Sequence, residues 1–556
     1  MSSQAWQSYF LPHRSSDTPT IVRLIVAALS GAILSLSYRG SFSGIYSWFC
    51  LAMLLASIIR ARPAVGFACG FLHGLLFVVT AVSWIAETLS VHGGMSMAAG
   101  WGVLLLIALV WASAIGLFAL AVCKIAQQNI SLALMASPFL WIVTEVFRAY
   151  LPEISFPWAL LGYPAAENPA IVQLTTITGI YGVSFLVVAF NALLLWVDLV
   201  PREHRARQWG AFAGAVALLL LVMSIGPHFV PHAEAHHLAR AVQPNFPENQ
   251  QYVGDWYAEH KPDMLELERL SLEPDSSAQK PDLLLWPEAP APFSFEDSRF
   301  GPFISHLAEE IHHPVLVGVI EWKINSPDAK SKLQINQVPY NSAALLDEHG
   351  RRIFAYDKIH LVPFGEYEPF PLIHTVVNSV SEEVGGFHKG KERTVGKFAN
   401  GNTFSVFICY EAIYAGEVRD FVNRGAQLLI NISNDGWFGT SAAAEQHLRM
   451  ARVRAVENRR WLLRDTNSGI TASVDPYGNV TRVMHRDSRD AADLPYDFRT
   501  DKTIYTRFND WFAWMCVAVS VILVLFTFRK AQRIPPGGVN SKHIWFSKIC
   551  SINMKV

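Results

Sequence analysis

The stretch SVFICYEAIY, residues 405–414, decides how this chain is read. An apolar, β-branched run stops at Cys409, and Tyr410 and Glu411 follow at once. A run that is apolar on successive residues marks a strand covered on both faces. Between residues 235 and 508, a segment of soluble character, Cys409 is the only cysteine. Cys50, Cys69, Cys123 and Cys516 fall in long apolar spans and Cys550 in the tail. A structural disulfide within 235–508 is therefore excluded. Two readings of Cys409 remain: an inert core thiol, the commoner fate of a lone strand cysteine, or a nucleophile.

The chain on either side is of another kind. Its 556 residues are 51% hydrophobic and only 16% charged, where soluble domains average about 25% charged. A net charge of -1 leaves no basic footprint for nucleic acid. A spanning helix needs about 20 mostly apolar residues. Eight stretches qualify, near 20–38, 44–60, 64–88, 97–123, 131–147, 170–198, 209–230 and 510–528. The fifth is the weakest, because Pro138 and Glu145 interrupt it and leave a re-entrant segment open. Arg148, three residues past Glu145, can pair with it on one helix face. The first stretch has the make-up of a signal peptide, but six more follow it before residue 235, so it is assigned as an anchor.

Short-loop Lys and Arg set the orientation. With the N-terminus in the cytoplasm, inner loops carry Arg60, Arg62, Lys124, Arg202, Arg205 and Arg207, and the tail adds Arg529, Lys530 and Arg533. Outer loops carry only Arg39 and Arg148. The expected layout is a membrane domain over 1–234, a catalytic domain over 235–508, a final transmembrane helix over 509–530 and a cytoplasmic tail over 531–556. In a bacterial inner membrane the catalytic domain then lies in the periplasm.

From Leu238 short β-rich runs alternate with helix-period segments. The runs are ARAVQPN, DLLLWPE, PVLVGVIEW, NSAALLD, RRIFAYDK, TFSVFICYE, AQLLINISND, WLLRDTN, ITASVDP and VTRVMH. Helices are expected near 252–272, 302–312, 413–424 and 442–459. The pattern predicts an α/β domain in which two sheets pack together with helices outside both. NSPDAKSK is a polar loop, and no repeat interrupts the pattern.

Glu288, Lys358 and Cys409 each follow a strand-like run. Side chains just outside the carboxyl ends of neighbouring strands converge on one crevice. A thiol there needs a base to become nucleophilic, and an ammonium can hold the oxyanion of a tetrahedral intermediate. Taken singly, each has an ordinary explanation as a turn, a solvated charge or a core residue. His360 and His447 carry no motif that marks a base, and His447 falls on a helix where a structural or substrate-facing role is favoured. No CxxC, HExxH or glycine-rich phosphate loop occurs, so neither a metal nor a nucleotide cofactor is expected.

WPE at 286–288, YDKIHLVPFGEYEPF at 356–370 and FICYE at 407–411 resemble, in order, the three signatures of the nitrilase (carbon–nitrogen hydrolase) superfamily. NISNDGWFG at 431–439 and RDTNSGITASVDPYG at 464–478 extend the match. With about eight transmembrane helices around the domain, and FPWALLGY at 156–163, the chain resembles the apolipoprotein N-acyltransferase family over nearly its whole length. The resemblance implies an α-β-β-α sandwich joined to a multi-pass α-helical membrane domain. It implies Glu288 as general base, Lys358 as oxyanion stabiliser and Cys409 as nucleophile, with Glu366, Tyr410 and Glu411 supporting them. It further implies a membrane phospholipid as acyl donor and diacylglyceryl-cysteine apolipoproteins as acceptors, within a lipid bilayer and without nucleic acid. Gly436 stands where the family commonly has alanine. Tyr252 and Trp256 lie where it carries a tryptophan, and that role stays unassigned. A membrane-tethered nitrilase or amidase would use the same three residues. A transporter with an accessory domain would leave their order unexplained.

The topology is testable with alkaline phosphatase, which needs a disulfide-forming compartment. A fusion near residue 400 should be active and one after residue 535 inactive. The reverse pattern would put the candidate site in the cytoplasm.

Overall fold

The computed structural model describes residues 18–40, 43–151, 155–199, 205–247, 256–273, 280–290, 293–324, 337–367 and 386–532. Tyr252, the NSPDAKSK loop and the tail from residue 533 lie outside them. Among the described residues eight α-helices of eight residues or more precede the first strand: α1 (Thr20–Leu36), α2 (Ser47–Ile58), α3 (Pro63–Ala81), α4 (Trp84–Val91), α5 (Met97–Gln128), α6 (Ile130–Tyr150), α7 (Ile180–Leu199) and α8 (Arg205–Ser224). Among the described residues four helices are long and apolar enough to cross a membrane: Pro63–Ala81, Met97–Gln128, Ile130–Tyr150 and Ile180–Val197. The other four expected spans are shorter apolar helices. Each expected span has its helix, but the count of eight is met by length in only four.

The weakest expected span is one continuous helix. Asn129 ends α5 and caps α6, its side chain accepting from the Leu132 N–H at 3.0 Å. Pro138 within α6 cannot donate to the Leu134 carbonyl four residues back. The Ser137 hydroxyl takes that carbonyl instead, at 2.8 Å, so no backbone acceptor is stranded in an apolar surrounding. Glu145 and Arg148 are buried together, 4.0 Å apart. Glu145 also accepts from the Trp141 indole at 3.1 Å and the Leu161 N–H at 2.7 Å.

Two expected spans are shorter than the apolar runs suggested. The run 64–88 breaks at Val82, which leaves helical geometry with φ -124° and ψ 31°. Gln446 of the later domain donates to the Ala81 carbonyl there, at 3.4 Å. The run 170–198 becomes a long helix only from Ile180. Gly179 before it has φ +63°, and a Cβ would meet the Tyr505 ring at 2.7 Å. In both places contact with the catalytic domain overrides hydropathy.

That domain begins with β1 (His237–Gln243), α9 (Trp256–Leu272), β2 (Leu283–Leu285), α10 (Phe300–Ile311), β3 (Val315–Ile324), β4 (Gln337–Leu346) and β5 (Arg352–Asp357). It continues with β6 (Gly396–Lys397), β7 (Thr403–Ile408), α11 (Ala415–Asn423), β8 (Leu428–Ser433), α12 (Ala443–Asn458), β9 (Trp461–Thr466), β10 (Ala472–Val474), β11 (Val480–Val483) and β12 (Asp490–Tyr496). Short α13 (Ile504–Phe508) leads into α14 (Trp511–Gln532). The strands form two six-stranded sheets, ordered β12-β1-β2-β3-β4-β5 and β11-β10-β9-β8-β7-β6.

Alternation along the first sheet shows the layers. Leu283 and Leu285 join Val406 and Ile430 in the core shared with the second sheet, while Leu284 and Trp286 point to α9 and α10, among Leu267 and Ile304. The first sheet is therefore covered on both faces, which is why its strands read as continuous apolar runs. β2 runs parallel to β3, and two antiparallel steps bring β5 back to the same direction. The carboxyl ends of β2 and β5, which precede Glu288 and Lys358, thus lie at one rim.

Gly318 on β3 permits that rim to form. A Cβ there would fall 2.8 Å from Glu288 Cα and closer still to the neighbouring backbone. Gly318→Ala should destabilise the protein by about 1–3 kcal/mol, as overpacking does, and displace Glu288. A melting temperature equal to that of the unaltered protein would show that the 287–289 loop moves freely.

Candidate active site

Cys409 follows β7 directly and opens a 3₁₀ turn, Cys409–Ile413. Its φ is +48°, a left-handed conformation that costs a non-glycine residue about 1–3 kcal/mol and occurs chiefly at functional sites. Glu411 holds the turn. One of its oxygens accepts from the Ile408 N–H at 2.7 Å. The other accepts from the Ile359 N–H at 2.6 Å, the His360 N–H at 3.1 Å and the Tyr356 hydroxyl at 2.8 Å. One carboxylate thus ties the Cys409 turn to the loop after Lys358. Burial, with Glu417 adding to it, pushes Glu411 up to about 7 despite those donors.

Lys358 is 1% exposed. Its ammonium donates to Glu288 Oε1 at 2.9 Å and to Glu366 Oε1 at 3.0 Å. Asn341 on β4 donates its amide to the same two oxygens, at 2.8 and 2.7 Å. Glu366 is fixed in turn by the Val362 N–H on its other oxygen, at 2.8 Å. Glu288 Oε2 is buried and has no hydrogen-bond partner among the described residues. Burial alone would lower the Lys358 pKa, but the two carboxylates more than offset it and hold the ammonium above its ordinary value. Lys358 carries three donors, and these carboxylates use two.

The Cys409 thiol is 6% exposed and senses both Glu288 and Lys358. Burial, with Glu288 adding to it, raises its pKa well above the ordinary thiol value, and Lys358 and the Ser433 hydroxyl pull it back only in part. The resting group is a thiol, close enough to Glu288 for that carboxylate to raise it.

A second layer lies under Cys409. The His447 ring is wholly buried and its Nε2 is 2.9 Å from the Cys409 carbonyl. A carbonyl only accepts, so Nε2 carries the hydrogen. Burial and the Arg464 charge hold His447 below its usual range, and Arg464 lies 3.1 Å from Nδ1. Arg464 also grips both oxygens of Asp435, at 2.8 and 2.7 Å. The structure gives His447 a supporting place beneath Cys409, one of the two roles its helical position left open.

The membrane domain roofs the site. Phe156 stacks on Tyr410 with centroids 6.0 Å apart, and on Trp158 at 5.5 Å. Trp158 stacks on His447 at 5.6 Å and donates to Gln446 Oε1 at 2.6 Å. Asn341, Asp435 and Arg464 had no assigned role in the sequence. The last two stood inside quoted motifs, whereas Asn341 shows only as a polar residue opening an apolar strand.

One carboxylate–imidazole trio, His360, Glu411 and Glu417, brings a ligand atom from each within 4.8 Å. Glu417 is paired with Arg393 at 3.2 Å and with His360 at 2.6 Å. A guanidinium already supplies the positive charge there, and the Glu411 lone pairs are committed to the turn.

The sequence was compared with known proteins. Residues 30–193 match the apolipoprotein N-acyltransferase N-terminal domain, and residues 238–494 match the carbon–nitrogen hydrolase domain. The apolipoprotein N-acyltransferase of Geobacter metallireducens is 32% identical over 511 residues, covering 91% of this chain and 95% of that one. That of Rhodopseudomonas palustris is 29% identical, covering 93% and 96%. Among solved structures, Nit3 of Saccharomyces cerevisiae, of the nitrilase superfamily, aligns at 19% identity and TM-score 0.34, covering 47% of this chain and 90% of that one. Similarity that runs through both the apolar helices and the two-sheet domain places the chain: it is a membrane protein that belongs to the apolipoprotein N-acyltransferase family.

Proposed function

We propose that the protein moves an acyl chain from a membrane phospholipid to the N-terminal α-amino group of diacylglyceryl-cysteine in apolipoproteins, the last step of bacterial lipoprotein maturation, through a thioester on Cys409. The observation that carries the reading is the free, buried oxygen of Glu288 beside an ammonium with one donor unspent. Cys409 attacks the ester carbonyl while its proton passes to Glu288. The oxyanion rests on the third Lys358 donor. Collapse breaks the ester C–O bond, and the leaving lysophospholipid oxygen takes the proton back from Glu288. In the second half the acceptor amine attacks the thioester, gives a proton to Glu288 and leaves as an amide, and the sulfur regains that proton. Glu366 orients Lys358, Glu411 holds the turn and Tyr410 contacts the roof. The basic inner loops support a catalytic unit of residues 235–508 on the periplasmic side of the inner membrane, between a membrane domain over 1–234 and the final helix.

With phospholipid alone, intact mass should show one fatty acyl chain on the protein, removable by neutral hydroxylamine and absent from Cys409→Ala. Adding a diacylglyceryl-cysteine peptide should discharge it with ping-pong kinetics. Glu288→Gln should fold but not charge, and Lys358→Ala should lose roughly 10²–10³ in rate, the effect of one oxyanion donor. Near-normal turnover of either variant removes that residue from the mechanism. Steady release of free fatty acid without a trapped acyl-enzyme would instead support a membrane-tethered hydrolase.

The raised thiol gives a separate check. A free cysteine ionises near pH 8.5, and Cys409 is held above that value. Iodoacetamide labelling of Cys409 should therefore be slow at pH 7 and keep rising, about tenfold per pH unit, through pH 9 without levelling off. A labelling midpoint near 7 would mean a resting thiolate and remove the need for a base.

A further inference from the structure

Tyr414 is the first residue after the nucleophile's turn. Its hydroxyl donates to the Ser155 carbonyl at 2.9 Å, and the Tyr410 hydroxyl reaches the same oxygen at 3.5 Å. Ser155 belongs to the membrane domain's connection between α6 and α7, and Phe156 follows it. Besides Tyr410 and Trp158, Phe156 stacks on Trp111 at 5.4 Å, and its N–H donates to the Arg148 carbonyl at 2.9 Å. On the other side the Tyr414 ring lies against His360, centroids 4.1 Å apart and planes 23° from parallel. His360 is two residues past Lys358 and pairs with Glu417 at 2.6 Å. Burial pushes Tyr414 up to about 12, so its hydroxyl stays a donor at working pH.

Tyr414 therefore joins the nucleophile's turn, the loop after Lys358 and the membrane segment at one side chain. We propose that Tyr414 is a positioning residue that latches residues 155–158 over the acylated Cys409, so that the thioester is passed to an amine rather than to water. The inference rests on the thioester reading above. Both outcomes break the same C–S bond and return a proton to sulfur through Glu288. The amine forms a C–N bond and an amide, whereas water forms a C–O bond and a free fatty acid. A latched Phe156 excludes the small, abundant nucleophile. An acceptor that brings its own acyl chains can replace the aromatic cover it displaces.

The test uses the full-length enzyme with phospholipid carrying a labelled acyl chain and a diacylglyceryl-cysteine peptide. Tyr414→Phe keeps the ring against His360 and removes only the hydroxyl. Charging of Cys409 should stay within about twofold, while fatty acid released per N-acylated product should rise about fivefold, the factor of one ordinary hydrogen bond. Phe156→Leu leaves Tyr414 intact but removes the ring it positions, and should leak in the same direction. If Tyr414→Phe charges normally and keeps the ratio of the unaltered enzyme, the latch is overturned. Equal losses in charging and transfer at an unchanged ratio would mean a merely structural tyrosine and overturn it as well. Failure of the unaltered enzyme to charge at all would overturn the thioester reading, and the latch with it.

Discussion

One buried ammonium between two carboxylates is the constraint on which the rest of the site depends. Lys358 is almost wholly enclosed and meets Glu288 and Glu366 at 2.9 and 3.0 Å. Removing one member of a buried ionic set typically costs about 3–5 kcal/mol, because it strands the others in low dielectric. The ammonium is shared between the two carboxylates, and one oxygen of Glu288 is left over beside it among the described residues. Asn341 donates to both carboxylates and keeps their repulsion tolerable without neutralising either. Three strand ends and one strand interior must hold register for this arrangement. The glycine beneath Glu288 and the carboxylate beneath Cys409 serve the same end.

The catalytic domain is fixed to the membrane helices by polar contacts as well as by grease, and α12 carries many of them. Gln446 accepts from Trp158 and donates to the Tyr38 and Ala81 carbonyls, at 2.6, 2.9 and 3.4 Å. The next residue, His447, supports the Cys409 carbonyl. Further along, Arg454 donates to the Tyr163 hydroxyl at 3.0 Å, and Glu457 accepts from the Ile180 N–H at 3.1 Å. One helix face therefore reads the position of the membrane domain, and adjacent side chains set the nucleophile. Relative movement of the two parts would be felt at Cys409 through a rigid element rather than through a loop.

Much of this was legible in the sequence, for definite physical reasons. Each quoted β-rich run is a strand, and the buried ones, such as β2, β7 and β8, leave continuous apolar signatures that turns break. The four expected helices of that domain are present within a few residues of their expected ends. Two strands were missed. β6 has two residues, and β12 is an edge strand containing Pro495, bonded along one side to β1. Neither position builds an alternating pattern, and an edge tolerates proline where a central strand does not. The breaks at Val82 and Gly179 were invisible because hydropathy counts apolar residues, whereas those turns are made by Gln446 and Tyr505 from far along the chain. Asn341 was missed for a similar reason: its role exists only once β4 lies between two carboxylates that are distant in sequence.

The resting state of the thiol explains why the surroundings take this form. Cysteine enzymes that keep a thiolate surround it with positive charge or a helix N-terminus. Here burial and a neighbouring carboxylate do the opposite, and the single ammonium is already shared between two acids. In the proposed reaction the thiol is activated only when a carbonyl arrives and the proton can move to Glu288 as attack proceeds. A dry aromatic enclosure is compatible with that chemistry in a way it would not be with a standing ion pair. Burying an unpaired thiolate beside such an aromatic cluster would be expensive, whereas a neutral thiol, and the neutral thioester of the proposed reaction, would carry no such cost. The same low dielectric that raises the thiol then strengthens the pull of Lys358 on an oxyanion.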